Sequence, residues 1–79
     1  MAAKAFVLIE TAVGKTKEVY SALQKLDAVK SVDAVTGPYD IIVTIEGADP
    51  NTLGNVVTTK IHDIPGTGRT VTCISIRLS

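Results

Sequence analysis

Asp40, Thr70 and Thr72 are the side chains of this sequence best suited to hold a small polar molecule. Asp40 closes the string Val35-Thr36-Gly37-Pro38-Tyr39-Asp40, which packs a turn between two apolar, β-prone runs. Gly37 can take a backbone conformation closed to other residues, and Pro38 fixes its own φ while giving up a donor. That leaves Tyr39 and Asp40 at one edge of a sheet, where backbone amides and a carboxylate can meet a small zwitterion. Thr70 and Thr72 lie two apart and therefore on one face of a strand, each hydroxyl able to donate or accept. Plain β-propensity also accounts for the two threonines, and a local turn bond also accounts for Asp40.

Other chemistry finds no support. His62, between Ile61 and Asp63, is the single histidine and falls at the end of a predicted helix, where a cation interacts favourably with the dipole. As a general base it would need a positioned partner and a cleft. Cys73, the single cysteine, is expected to be a buried, inert thiol inside the last strand. The carboxylates are scattered, so no metal site and no catalytic group is expected. Neither GxGxxG nor a Walker loop is present, and no cofactor is expected. Gly66-Thr67-Gly68 precedes a strand and reads as a turn.

These residues need a scaffold, and hydrophobic spacing supplies one. Ala5 to Ile9 is a continuous apolar run, predicted to be a central strand buried on both faces. Val19, Tyr20, Leu23 and Leu26 recur at helical intervals after Lys15. Val29 to Val35 alternates, with Val29, Asp33 and Val35 on one face and Val32 and Ala34 on the other. Tyr39 to Glu46 forms the third strand. Asp49 and Pro50 open a second helix as N-cap and first residue, with Leu53, Val56, Val57 and Ile61 as its stripe. Thr67 to Leu78 is the final strand. The order β-α-β-β-α-β predicts an α+β, ferredoxin-like domain over residues 1–79: a four-stranded antiparallel sheet with both helices on one face.

Composition sets the partners. Hydrophobic residues make up 46% of the chain and charged residues 20%, more aliphatic surface than a compact monomer of 79 residues hides. The sheet face away from the helices therefore needs a cover, and a C2 dimer packed sheet to sheet is expected. Eight basic residues balance eight acidic ones without clustering, which argues against nucleic-acid binding. No apolar run approaches the ~20 residues of a membrane span, and no signal peptide is expected ahead of the first strand. A lone cysteine fits a reducing, cytoplasmic setting.

Val35 to Val43 resembles the Gly-x-Tyr-Asp hairpin of the effector-binding RAM domain of Lrp/AsnC transcription regulators, and Ile64-Pro65-Gly66 through Thr72 is similar to that domain's closing pattern. The resemblance covers nearly the whole chain. It implies a dimeric αβ-sandwich, often assembled further into an octamer or decamer, with amino acids bound between subunits. Carried over by position, the pocket takes Gly37, Tyr39 and Asp40 from the hairpin and Thr70 and Thr72 from the last strand. Asp40 and the threonine hydroxyls would take the α-ammonium, and amides of Gly37 to Asp40 the α-carboxylate. Tyr39 would shape the side-chain end. The first strand is expected to start without a helix-turn-helix, so the likeness is to stand-alone RAM proteins, and direct DNA binding is not carried over. Thr67 stands where the family pattern has an aliphatic residue. The reading is a non-catalytic amino-acid sensor that can co-assemble with full-length Lrp/AsnC regulators. Its alternatives are a small dimeric α+β-barrel enzyme, monooxygenase- or isomerase-like, and an RNA-binding sheet, for which the central strands offer almost no aromatics.

Overall fold

Along the chain the apolar spacing changes from two residues to between three and four and back again, and the backbone changes with it. The computed structural model describes residues 3–78: β1 (Ala3–Thr11), α1 (Thr16–Leu23), β2 (Val29–Ala34), β3 (Ile41–Gly47), α2 (Pro50–Val56) and β4 (Thr67–Ile74). A π-helical turn, Val57–Ile61, continues α2. The strands form one antiparallel sheet in the order β2-β3-β1-β4, the ferredoxin-like arrangement. Alternate residues Ala5, Val7 and Ile9 of β1 and Ile41, Val43 and Ile45 of β3 are buried beneath the helices. Val19 and Leu23 meet them from α1, and Leu53, Val56, Val57 and Ile61 from α2 and its continuation. The apolar stripe expected of the second helix is thus wholly in the core. Among the described residues, no helix is long and apolar enough to cross a membrane.

Because both helices lie on one side, the other face of the sheet stays open, and several expectations change. The first strand is central but not buried twice over: Phe6 is 37% exposed and Leu8 half-buried. Cys73 is exposed rather than buried, because it pairs with Phe6 on that open face of an edge strand. In β2, Val29 pairs with Ile45 and Ser31 with Thr44, so Lys30 is an extra residue. The bulge turns Val29 to the same side as Val32, opposite Val43, and leaves Asp33 opposite Ile42 on the open face. The third strand starts at Ile41 rather than Tyr39, and α1 ends at Leu23 rather than near Leu26. The last strand ends at Ile74; Ser75 N–H still reaches the Lys4 carbonyl, and Ile76 and Leu78 beyond it are exposed.

Asp49 caps α2 as its sequence position requires, accepting from Thr52 N–H at 2.8 Å and Thr52 Oγ1 at 2.9 Å. The backbone bond, then the hydroxyl, hold the carboxyl pKa below its ordinary value. A lowered folded pKa contributes stability that is complete above the unfolded value and is lost as pH falls through the folded one. Asp49→Ala therefore lowers the melting temperature at neutral pH, and the gap to the parent narrows in strong acid. A gap unchanged across that range contradicts the assignment.

The turn before β4 is crowded. Gly66 sits at φ 97°, and a Cβ there would lie 2.7 Å from Lys15 Cβ, so glycine is required both for conformation and for space. Beside it, Thr67 Oγ1 is buried without a hydrogen-bond partner among the described residues. An unpaired buried hydroxyl costs about 1–3 kcal/mol. Thr67→Val keeps the shape and should raise the unfolding free energy by about 1 kcal/mol in urea titration. A less stable valine variant would show that the hydroxyl is satisfied after all.

Candidate functional site

The residues singled out from the sequence gather at one end of the sheet. Ile9, near the end of β1, pairs with Ile41 on one side and Thr70 on the other. The hairpin therefore flanks the end of β1 on its β3 side, and the start of β4 flanks it on the opposite side. Two interstrand spacings, about 10 Å of backbone, separate the two sets.

On the hairpin, Val35 N–H closes the turn to the Asp40 carbonyl at 2.9 Å, and Gly37 takes φ 139°. The side chain of Asp40 does not bond locally. Its Oδ2 accepts from the Thr11 backbone N–H at 2.8 Å and from Thr11 Oγ1 at 3.1 Å, 29 residues away. Thr11 Oγ1 also lies 2.7 Å from Thr16 Oγ1. Since Thr11 gives its proton to the carboxylate, Thr16 donates in that contact, and the hydroxyls form a chain running from α1 to Asp40. Oδ1 has no partner among the described residues, so half of this part-buried carboxylate remains able to accept. One expectation is corrected here. Asp40 N–H donates to the Ile9 carbonyl at 2.9 Å and Pro38 has no N–H, so of the hairpin amides only those of Gly37 and Tyr39 remain for an anion.

Across β1, Thr70 pairs with Ile9 and Thr72 with Val7, both core residues, so the threonines look toward the helix side at the sheet margin. Thr11 alternates in phase with Ile9, and Thr16 begins α1, so the Asp40 carboxylate is drawn to that same side. Thr70 Oγ1 lies 2.8 Å from His62 Nε2, at the end of the π-helical turn. Thr72 is exposed.

Tyr39 belongs to a different cluster. Arg69 Nη2 donates to Tyr39 Oη at 3.4 Å, and Arg69 Nε lies 3.7 Å from Glu10 Oε2. Glu10 follows Ile9 in β1 and so points to the open face. β4 carries an extra residue there, because Ile9 pairs with Thr70 but Thr11 with Thr67. The Tyr39 hydrogen bond, then the electrostatic influence of Tyr39 and Glu10, raise the pKa of the guanidinium above its ordinary value. The structure thus puts Asp40, Thr70 and Thr72 on one side of the sheet end and the Tyr39 hydroxyl on the other. Thr11, Thr16, Glu10 and Arg69 complete these clusters, and nothing local in the sequence marks them as partners. A groove of about 260 Å³, lined by residues including Lys25, Leu26, Val56 and Lys60, lies elsewhere, between the loop that follows α1 and α2 with its π-helical continuation. Among the described residues no group of three metal-ligating side chains occurs.

Comparison with known proteins identifies the family and the fold. The family described as the Lrp/AsnC ligand binding domain matches residues 4–78. The HTH-type transcriptional regulator FL11 of Pyrococcus horikoshii is 36% identical over 73 residues, covering 92% of this chain and 48% of its own. This chain spans 39–48% of the length of the curated relatives it matches. TTHA0845 from Thermus thermophilus superposes with a TM-score of 0.91 at 34% identity, over 98% of this chain and 96% of its own. The transcriptional regulator NMB0573 of Neisseria meningitidis, solved as an L-Met complex, shares the fold at a TM-score of 0.85. Its identity is 18%, over 95% of this chain and 50% of its own.

Proposed function

Since the chain belongs to the Lrp/AsnC ligand-binding domain family, we propose that it is a non-catalytic sensor, one cytoplasmic domain that binds an amino acid where copies of itself meet. The observation that carries this reading is Asp40: Thr11 holds one carboxylate oxygen and leaves the other free, on the side shared by Thr70 and Thr72. In the proposed site Asp40 takes the α-ammonium, and the Thr70 and Thr72 hydroxyls, two strands away within one chain, join it from a second copy. The Gly37 and Tyr39 amides take the α-carboxylate, and the Tyr39 ring borders the effector's side chain. That amino acids are the ligand class is supported by the L-Met complex of a protein sharing the fold.

Assembly follows from the open face. Ile42, Leu8 and Val71 form one cross-strand row on it, and Thr44, Phe6 and Cys73 form the next. A second copy packed sheet to sheet covers both rows, giving a homodimer that assembles further into an octamer or decamer. The effector then acts by unequal affinity for the assembly states. Full-length Lrp/AsnC regulators, whose ligand-binding domain belongs to the same family, are the proposed partners for mixed assembly through this face.

A thermal-shift screen of the twenty amino acids, read alongside light scattering, tests the proposal. A matching effector raises the melting temperature by mass action and changes the assembly size. A flat response to all twenty overturns the amino-acid reading. Turnover of a substrate, abolished in His62→Ala, would replace it with an enzyme.

A further inference from the structure

His62 and Thr70 make a contact in which only one of the two can donate, and which one does so decides what Thr70 offers to a ligand. His62 Nε2 lies 2.8 Å from Thr70 Oγ1. A hydroxyl has one proton and two lone pairs, and a neutral imidazole has one donor nitrogen and one acceptor nitrogen. When Thr70 gives its proton to Nε2, both lone pairs on Oγ1 stay open. When Nε2 carries a proton, it occupies a lone pair of Oγ1 and leaves the hydroxyl proton facing outward. An imidazolium, with donors on both nitrogens, permits the second arrangement alone.

Two separate elements hold this pair in place. His62 N–H closes the π-helical turn on the Val57 carbonyl at 3.0 Å, and Thr70 is registered against Ile9 in β4. Thr70 is half-buried and His62 exposed, so the ring exchanges protons with solvent freely. The charged groups around it are Lys60 on the same turn, Asp63 next in the chain and Arg69 beside Thr70. Arg69 Nε lies 3.7 Å from Glu10 Oε2, and among the described residues His62, Lys60 and Asp63 join no ion pair. The Thr70 hydroxyl is thus the one side-chain partner of the imidazole among the described residues.

We propose that His62 is a positioning residue of the effector site: as a neutral ring it holds Thr70 as an acceptor for the α-ammonium, and on protonation it turns the hydroxyl proton outward, so that effector and proton compete. The inference rests on the amino-acid reading above, in which Thr70 joins Asp40 of a second copy, and adds the regulation of that site. An ammonium has three donors and no acceptor. A hydroxyl presenting its lone pairs matches it, and one presenting its proton does not. The imidazolium also sets a positive charge with a single hydroxyl between it and the ligand's own. Histidine is the side chain whose ordinary titration falls between pH 5 and 8. Effector affinity should therefore fall as the pH drops through that interval.

His62 is the sole histidine, so nitrogen-15 labelling of histidine lets magnetic resonance follow its ring through a pH titration without ambiguity. The probe is an equimolar mixture of the twenty unlabelled amino acids. With the mixture present, the neutral ring should carry its proton on Nδ1. The titration midpoint should move down by about half a pH unit or more, equivalent to about threefold in affinity, because binding and protonation are linked reciprocally. The thermal shift given by the same mixture should be smaller near pH 5.5 than near pH 7.5 in the parent. In His62→Gln it should be retained and equal at both, since the carboxamide oxygen accepts from Thr70 and does not titrate. A midpoint that stays or rises while the mixture raises the melting temperature overturns the inference, as does a neutral ring protonated on Nε2. So does a glutamine variant as sensitive to pH as the parent, because another group would then be titrating. If that variant loses the shift altogether, the midpoint decides alone. A mixture that leaves the parent's melting temperature unchanged at the higher pH overturns the amino-acid reading instead, and this inference with it.

Discussion

Asp40→Asn should melt close to the parent and no longer respond to the effector, whereas Asp40→Ala should lose both the response and part of the stability. The asparagine carbonyl still accepts from Thr11 N–H, so the link between β1 and the hairpin survives, but the charge that attracts an ammonium is gone. Alanine removes the acceptor as well. Thr11 N–H and Thr11 Oγ1 then lose their part-buried partner, a penalty of about 1–3 kcal/mol. A charge-assisted bond to the ligand has comparable weight, so the effector should bind the asparagine variant at least about tenfold more weakly. Differential scanning fluorimetry with and without effector separates the two contributions. An Asp40→Asn protein that responds like the parent would remove Asp40 from the site.

Leu8→Lys should produce a folded monomer. Leu8 lies at the centre of the open face, with Ile42 beside it on one strand and Val71 on the other. In a lone chain the new ammonium sits at a solvent-facing surface and disturbs little. Buried between two sheets without a counter-charge, it costs several kcal/mol, and each 1.4 kcal/mol is about tenfold in the dissociation constant. Sedimentation at micromolar concentration should give a dimer or larger species for the parent and one chain for the variant, with unchanged far-ultraviolet circular dichroism. The variant should also lose the effector response if binding requires a second copy. A parent that sediments as a monomer with this face wet would refute the assembly scheme.

Local signals in the sequence carry most of the scaffold. The Gly37-Pro38 turn, the Asp49-Pro50 helix start and the stripe from Leu53 to Ile61 each rest on short-range chemistry, and each stands in the fold. Strand phase is harder to read. Lys30 has no distinguishing composition, yet as a bulge it reverses the facing of Val29 relative to Asp33. The alternation rule holds only while every residue is paired. Cys73 is misplaced by the same kind of local reading: its apolar neighbours fit a buried strand, but β4 lies at the sheet edge and Cys73 faces the uncovered side.

Side-chain partnerships are the least legible. Asp40 is marked by its place after a turn, but its partner Thr11 is 29 residues distant, and no spacing rule connects them. Arg69 has no feature in its own neighbourhood that singles it out. Its contacts with Glu10 and Tyr39 depend on the extra residue in β4, which shifts the register between Ile9 and Thr11. His62 is legible as a helix end. It does end one, and its bond to Thr70 comes from how that helix ends.

The widened turn from Val57 to Ile61 closes through His62 N–H to the Val57 carbonyl, five residues back rather than four. Such a loop carries one surplus residue relative to regular α-helical winding. Each helical residue advances the azimuth by about 100°. Excising one position there would swing the imidazole roughly a quarter-turn away from Thr70 and bring Asp63 into its former bearing. The insertion thus acts as a phase adjuster, setting which side chain the helix hands to the neighbouring strand without altering the strand itself.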